Sequence, residues 1–321
     1  MKKLLTVFVA CLVVISFLIF YSTRLLQMPE RNADLKIPKY RFSLIVPLSG
    51  NRYWSIVENS VKDAARKYSV DVKCMGSSHL NTEEQVSFIR AAIASRVDGI
   101  ITAACDSPEF GEIVSEARSH GIPVILVDSD MPATKRNMYI GTDNIKAGQI
   151  AGQQMIRATG GSATIAVLVG SASAVNQQER VSGFKSAIAG CPNMRVASIV
   201  EGKSDLPQII EKVNDLFDKN PDVNAVFCAE GFGPVGTGEV IHSRGLTGKV
   251  KVIGFDDLRE TIGFVSDGTF SCTIVQQPQE MGALAVQNLL RYAQGGTFEN
   301  AVINTSVVVV SQKQAGLYKG N

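Results

Sequence analysis

Pro123-Val124-Ile125-Leu126-Val127-Asp128-Ser129-Asp130 is a short apolar run that ends abruptly in two carboxylates and a hydroxyl. A strand buried on both faces reads as a continuous apolar run, whereas a half-exposed strand alternates. The same pattern returns at Val252-Ile253-Gly254-Phe255-Asp256-Asp257 and at Cys272-Thr273-Ile274-Val275-Gln276-Gln277-Pro278. Amphipathic stretches of helical period separate such runs. Helical crossovers therefore deliver the strands in parallel, and the polar strand ends gather along one crevice, where open α/β sheets bind ligands.

Upstream of that run, Phe42-Ser43-Leu44-Ile45-Val46-Pro47-Leu48 reads as a buried strand. A helix follows from about Trp54 to Tyr68, with Ile56, Val57, Val61, Ala64 and Ala65 as its apolar stripe. The rhythm repeats through the strand Val70 to Cys74, a helix from Thr82 to Ser95 capped near Asn81, the strand Gly99-Ile100-Ile101, and a helix from Pro108 to Ser119 ended by Gly121. Downstream, a short strand near Met138 runs into a helix from Ile145 to Thr159, and Gly160-Gly161 punctuates the chain. A second series then opens, with strands Ala163 to Val169, Val196 to Val200, Val223 to Ala229, Val250 to Phe255 and Ser271 to Val275. Its helices start near Gln177, Leu206, Pro234 and Leu258. A helix Pro278 to Tyr292 and a strand Asn304 to Val310 follow, and their return to the first half gives several crossings between lobes.

A chain of 321 residues suits two ordinary domains. The expected fold is α/β, two doubly wound parallel-sheet lobes joined by a multi-strand hinge, preceded by an N-terminal transmembrane helix. The first lobe takes residues 41–142 plus 277–304, and the second takes 143–276 plus 305–321.

Lys2 and Lys3 precede an uncharged stretch from Leu4 to Thr23, closed by Arg24. That apolar stretch exceeds a cleavable signal's core of roughly 7 to 15 residues and lacks a small-x-small site at its end. Residues 1–24 therefore read as an anchor, with a signal cut at an unrecognised site as the alternative. Val9-Ala10-Cys11 superficially resembles a lipid-attachment box, but the apolar run continues past Cys11. The two lysines keep the N-terminus in the cytoplasm and put the rest outside. Residues 25–40, with Pro29 and Pro38, read as a tether.

With 32 basic and 30 acidic residues the formal charge is +2, so no broad basic field points to nucleic acid. Five cysteines lie beyond Cys11 and cannot all pair within one chain; none shows C-x-x-C spacing, so they read as buried free thiols. His79, His120 and His242 lie far apart in sequence, and no metal site or catalytic triad is expected. Gly231-Phe232-Gly233-Pro234-Val235-Gly236 matches the dinucleotide fingerprint, with Asp256 further on. Against that reading, the motif sits in the third crossover of the second half, and Glu230 puts a carboxylate against the pyrophosphate. A dinucleotide-dependent oxidoreductase is kept only as a distant rival, and no cofactor is expected.

Asp128 and Asp256 each close an apolar strand, where a carboxylate is costly to bury unless it is paired or hydrogen-bonded. A carboxylate accepts two hydroxyls of a vicinal diol at once. Either aspartate could instead cap a helix or turn. Arg180 offers a fork of donors, Gln276 offers donor and acceptor together, and Glu230 ends another strand; a solvated arginine and turn-forming side chains are the alternatives. Tyr53 and Trp54 follow the Gly50-Asn51-Arg52 turn, where a flat ring can stack on a sugar face; core packing is the competing role.

At these residues the chain resembles type I periplasmic binding proteins of the ribose and galactose group, the fold shared with the ligand domains of lactose-repressor-type regulators. The similarity spans about residues 41 to 312. Asn51 with Tyr53 and Trp54 resembles the first ribose-contacting loop, and Asp128 falls at the sugar-binding aspartate. Arg180 with Gly183-Phe184 matches R-x-x-G-F, Phe255-Asp256 matches G-F-D, and Gln276 matches the final ligand glutamine. Thr142-Asp143-Asn144 resembles the D-N step at the first crossing. Ser129, Ala103 and Glu230 depart from the ribose pattern, where an arginine and two asparagines stand, which shifts the expected ligand toward a neutral or amine-bearing polyol. The resemblance implies a non-enzymatic, extracytoplasmic protein that closes two lobes on a sugar or polyol. Its expected partner is an ABC-type permease, or alternatively a membrane histidine kinase. A transcriptional regulator of this fold would need a helix-turn-helix where the apolar segment stands.

Overall fold

Asparagine opens the first two helices. Asn51 and Asn81 adopt extended backbone and accept the N–H three residues on, from Trp54 at 3.3 Å and Glu84 at 2.9 Å. Each cap satisfies a donor that has no partner inside the helix. The computed structural model describes residues 15–18, 20–22 and 38–320. Residues 15–18 and 20–22 are helical, and Lys39–Asn321 forms a compact unit of its own. Most of the expected anchor (1–24) and tether (25–40) lies outside the described residues, as does Cys11. Among the described residues no helix is long and apolar enough to cross a membrane.

The first half runs β1 (Arg41–Val46), α1 (Arg52–Tyr68), β2 (Asp71–Gly76), α2 (Thr82–Ala94), β3 (Gly99–Thr102), α3 (Phe110–Ser119), β4 (Val124–Val127) and β5 (Met138–Thr142). The second half runs α4 (Asn144–Thr159), β6 (Ser162–Val169), α5 (Val175–Ile188), β7 (Asn193–Glu201), α6 (Leu206–Lys219), β8 (Ala225–Cys228), α7 (Gly233–Ser243), β9 (Lys251–Phe255), α8 (Arg259–Ser266) and β10 (Cys272–Val275). The tail adds α9 (Pro278–Ala293), β11 (Val302–Thr305), β12 (Val308–Ser311) and α10 (Gln312–Ala315).

Two six-stranded sheets result, in the orders β11-β5-β4-β3-β1-β2 and β12-β10-β9-β8-β6-β7. The two orders are the same once the strands are renumbered from the start of each half. All pairs are parallel except β10 with β12. Strand side chains alternate between two apolar layers in the first sheet. Leu44, Val46, Ile101 and Ile125 face the layer under α1 and α9, while Ile45, Ile100, Val124 and Leu126 face the layer under α2 and α3. The second sheet is covered on both faces in the same way.

The tail differs from expectation. The run predicted as one strand from Asn304 to Val310 is two strands broken at Ser306-Val307, with β11 beside β5 and β12 beside β10. Three segments therefore pass between the sheets: β5 into α4, β10 into α9, and β11 into β12. Helix α9 packs on α1 of the first half, while α4 packs on α5 within the second.

Candidate ligand-binding site

The carboxyl ends of both sheets meet at this three-segment crossing, and there Asp128 and Asp256 occupy matching positions, each the first residue after the fourth strand of its half. Both adopt left-handed backbone, with φ of 65° and 61°. Non-glycine residues rarely sit there, and such strain persists where surrounding bonds enforce it. For Asp128, the backbone N–H donates to Ile140 O at 3.2 Å and the carbonyl accepts from Tyr139 Oη at 2.9 Å. For Asp256, the N–H donates to Ile274 O at 2.8 Å and the carbonyl accepts from Thr273 Oγ1 at 2.7 Å.

The Asp128 carboxylate accepts from Tyr53 Oη at 2.7 Å, from Ser129 Oγ at 3.0 Å and from Asn176 Nδ2 at 3.3 Å. Asp256 Oδ1 accepts from Gln276 Nε2 at 3.1 Å. Burial raises the Asp256 carboxyl to about 7, against the lowering pull of Arg180 and Gln276, with Asp128 adding to the rise. Its side chain keeps partial contact with solvent, so part of that burial penalty is relieved by water. The Tyr53 hydroxyl is held well above its ordinary range by burial first, then by Asp128 and Asp256.

Arg180 is 2% exposed on α5. Its Nε donates to Asn144 Oδ1 at 2.9 Å, Nη1 to Ala229 O at 3.0 Å and Nη2 to Gln276 Oε1 at 2.9 Å, while the guanidinium stacks 4.0 Å from the centre of the Phe255 ring. Three of its five N–H groups are used in these bonds, which leaves two to aim at a guest. Gln276 Oε1 also accepts from Thr142 Oγ1 at 2.9 Å, which ties β5 of one sheet to the end of β10 in the other. Asn176, at the start of α5, donates to both Asp128 and Ser129 of the opposite sheet, the latter at 2.9 Å.

Glu230 has a structural job. Its carboxylate accepts from the N–H groups of Phe232 (2.9 Å) and Gly233 and from Ser204 Oγ at 3.3 Å, so it closes the N-terminus of α7. Burial raises its carboxyl, and those backbone donors oppose the rise. The amides a pyrophosphate would need are thus taken by a resident anion. The glycines of that loop serve packing: a Cβ on Gly233 would come within 2.8 Å of Leu168, and one on Gly236 would overlap Ile209. Asn51 spends its oxygen on the α1 cap.

Tyr53 and Trp54 meet edge to face at 5.3 Å. Trp54 is 9% exposed and belongs to the first core, so core packing takes most of its surface, while it still lines the cleft. Tyr53 turns its hydroxyl to Asp128. The structure therefore brings Tyr53, Asp128, Arg180, Asp256 and Gln276 together, sets Trp54 at the cleft wall, and gives Asn51 and Glu230 to helix caps. Sequence reading missed Asn176 as part of this cluster; its one signal was its spacing four residues before Arg180, which sets both on one face of α5.

A cavity of about 470 Å³ opens at the cleft, with Trp54, Asp128, Asn176 and Ser204 in its wall. Among the described residues no group of three side chains converges as a metal site, and the five described cysteines are free thiols, Cys228 and Cys272 buried and the others half-buried.

Comparison with known proteins fits this architecture. The family described as "Periplasmic binding protein domain" matches residues 42–297. The chain is 26% identical over 259 residues to the ribose import binding protein RbsB of Bacillus subtilis, covering 81% of this chain and 83% of that one. It superposes on the solved structure of GanP, a glucose-galactose binding protein from Geobacillus stearothermophilus, with a TM-score of 0.82 and 36% identity, over 85% of this chain and 98% of the other. A chain of the solved XylFII-LytSN complex aligns at 29% identity and a TM-score of 0.80, covering 86% of this chain and 98% of its own.

Proposed function

The chain belongs to the periplasmic binding protein family, and on that premise we propose that it is an extracytoplasmic solute-binding protein that captures a sugar or related polyol between two closing lobes and presents it to an ABC-type importer. Its relatives are binding proteins rather than enzymes, and it performs no chemistry on its guest. The lobes are residues 41–142 with 277–304 and residues 143–276 with 305–321, and the segment 1–24 holds the protein at the outer face of the membrane.

One observation carries the reading. Two carboxylates at matching strand tips, Asp128 and Asp256, sit around a buried arginine whose remaining N–H groups are surplus to its internal bonds. Diol hydroxyls donate to the carboxylates, and a ring or hydroxyl oxygen accepts from Arg180. Tyr53 orients Asp128, Gln276 orients both Arg180 and Asp256, and Trp54 offers an apolar wall. The acid excess of this cluster disfavours acidic sugars and admits neutral or amine-bearing ones. Guest contacts made to both lobes at once exist only in the closed form, so binding shifts the open-closed equilibrium that a membrane partner senses.

The test is a thermal-shift screen of the protein against monosaccharides, inositols and amino sugars, followed by calorimetry on the best hit. Asp256→Ala should weaken that hit by about 1 to 3 kcal/mol through loss of a charged acceptor. Unchanged affinity removes Asp256 from the site, and no stabilisation by any polyol overturns the function.

A second reading is a ligand-sensing accessory to a membrane histidine kinase. It is favoured by the likeness to a chain solved within a two-protein assembly, the XylFII-LytSN complex. A ligand-dependent complex with the extracytoplasmic part of a kinase, and none with a permease, is the outcome that selects it.

A further inference from the structure

A single sugar ring held at Asp128, Arg180 and Asp256 leaves the outer cleft empty. At about 30 Å³ of liquid per water, a hexose standing in for five or six waters takes about 170 Å³. The cavity holds about 470 Å³. Asp256, Arg180 and Gln276 are not in its wall; the space begins at Trp54, Asp128 and Asn176 and runs outward to the tips of both halves.

The outer part is walled from both sides of the cleft. Leu80, ahead of α2, and Met131, after β4, belong to the first half; Val175, at the start of α5, and Lys203, between β7 and α6, belong to the second. Leu80 and Val175 are 63% and 38% exposed, large apolar side chains left uncovered at the rim. Asn81, Asp106 and Gln177 stand in the same wall. Apolar patches broken by acceptors and donors match a pyranose, which has apolar faces and a rim of hydroxyls. Against the single cation Lys203 the wall carries Asp106, Asp128, Asp130 and Glu201, of which Asp130 is paired with Arg136. That balance excludes an anionic second group.

Asn176 marks the junction of the two parts. Its Nδ2 must face Asp128, because an ionised carboxylate can only accept, and Ser129 Oγ donates to the same carboxylate and accepts from the amide. The opposite atom, Asn176 Oδ1, is therefore an acceptor; it is buried and has no donor among the described residues. A buried acceptor left unmade is costly, and a guest hydroxyl at this point relieves it. Lys203 and Ser204, consecutive non-glycine residues at φ of 54° and 50°, line the same space, a second stretch of strained backbone at the cleft.

We propose that the cleft takes a neutral two-ring glycoside, its first ring at Asp128, Arg180 and Asp256 and its second between Leu80 and Met131 on one side and Val175 on the other. The inference rests on the sugar-binding reading above and narrows its ligand class. The test is calorimetry and thermal shift on the full chain with glucose, galactose and mannose, and with cellobiose, lactose, melibiose, maltose and galactobiose as probes. At least one disaccharide should bind tenfold or more tighter than its own monosaccharide. Ala174→Trp, which bulks the cavity wall away from the first ring, should abolish that gain and leave monosaccharide affinity within twofold, with its melting temperature measured as the folding control. Disaccharides that bind no tighter than their monosaccharides, or an Ala174→Trp protein that loses both alike, overturn the proposal and leave sugar binding standing. No response to any sugar of either size overturns both.

Discussion

Asp128 and Asp256 look alike in sequence, and the Asp256 carboxyl is displaced upward to about 7, chiefly by burial. The direction of its effects follows from which form is favoured. Its folded-state value lies above the ordinary carboxylate value, so the empty protein gains stability from this group as pH falls from about 7 toward 4. A polyol donates hydroxyl hydrogens to the ionised form, so affinity should move the other way and fall as pH drops from 8 to 6. Calorimetry at pH 7 in buffers of different ionisation enthalpy should show proton release on binding. Asp256→Asn should flatten the pH dependence of affinity between 6 and 8; a slope that persists assigns the titration to another group. Because the Glu230 carboxylate caps α7, Glu230→Ala should lower stability by about 0.5 to 2 kcal/mol in urea denaturation. Asp128, Asp256, Arg180 and Gln276 were legible because carboxylates, a guanidinium and an amide at the ends of apolar runs or on a helix start need a partner. Glu230 and Asn51 obey the same rule, and their partners are helix N–H groups, which composition and spacing do not distinguish from a ligand.

Among the elements, the contact between α4 and α5 matters most for the site, because it carries Arg180 to Asn144. It is a glycine contact: a methyl on Gly148 would overlap the carbonyl of Arg180, one on Gly183 would overlap the carbonyl of Ile145, and one on Gly152 would come within 2.7 Å of Ala187. Backbone stands on the other side, so no side chain can swing away to make room. Gly148→Ala should therefore cost about 1 to 3 kcal/mol of stability by overpacking, and it should also weaken ligand binding by shifting Arg180. Loss of stability with binding intact in the folded fraction would show that α5 tolerates the shift. Helix and strand order was readable in the sequence because each period and cap is local; the Asn81 cap and the starts of α6 and α9 fall where expected. The break between β11 and β12 was not, since Ser306-Val307 carries neither glycine nor proline and β-branched residues stand on both sides of it. Which sheet each short strand joins depends on which edge, β5 or β10, lacks a neighbour.

For the molecule as a whole, the same strand order built twice and joined by three segments makes closure a matter of a few backbone torsions rather than of unfolding either half. Thr142 with Gln276, and Asn176 with Asp128 and Ser129, are the contacts that link the two halves across the cleft. A saturating sugar should lower the radius of gyration in small-angle scattering and slow amide exchange at residues 142–144 and 275–278. Scattering that does not respond to a ligand shown to bind would contradict closure. Strand content, parallel crossovers and the two-fold repetition follow from the chain alone, because hydrophobic period and turn chemistry act over a few residues. The meeting of Asp128 with Asn176, the tie of Thr142 to Gln276 and the cavity beyond Asp128 exist only once two sheets face each other. The two contacts join residues 48 and 134 positions apart, which local propensity cannot encode, whereas the left-handed turns at both aspartates are held within one sheet and the Glu230 cap spans two to three residues.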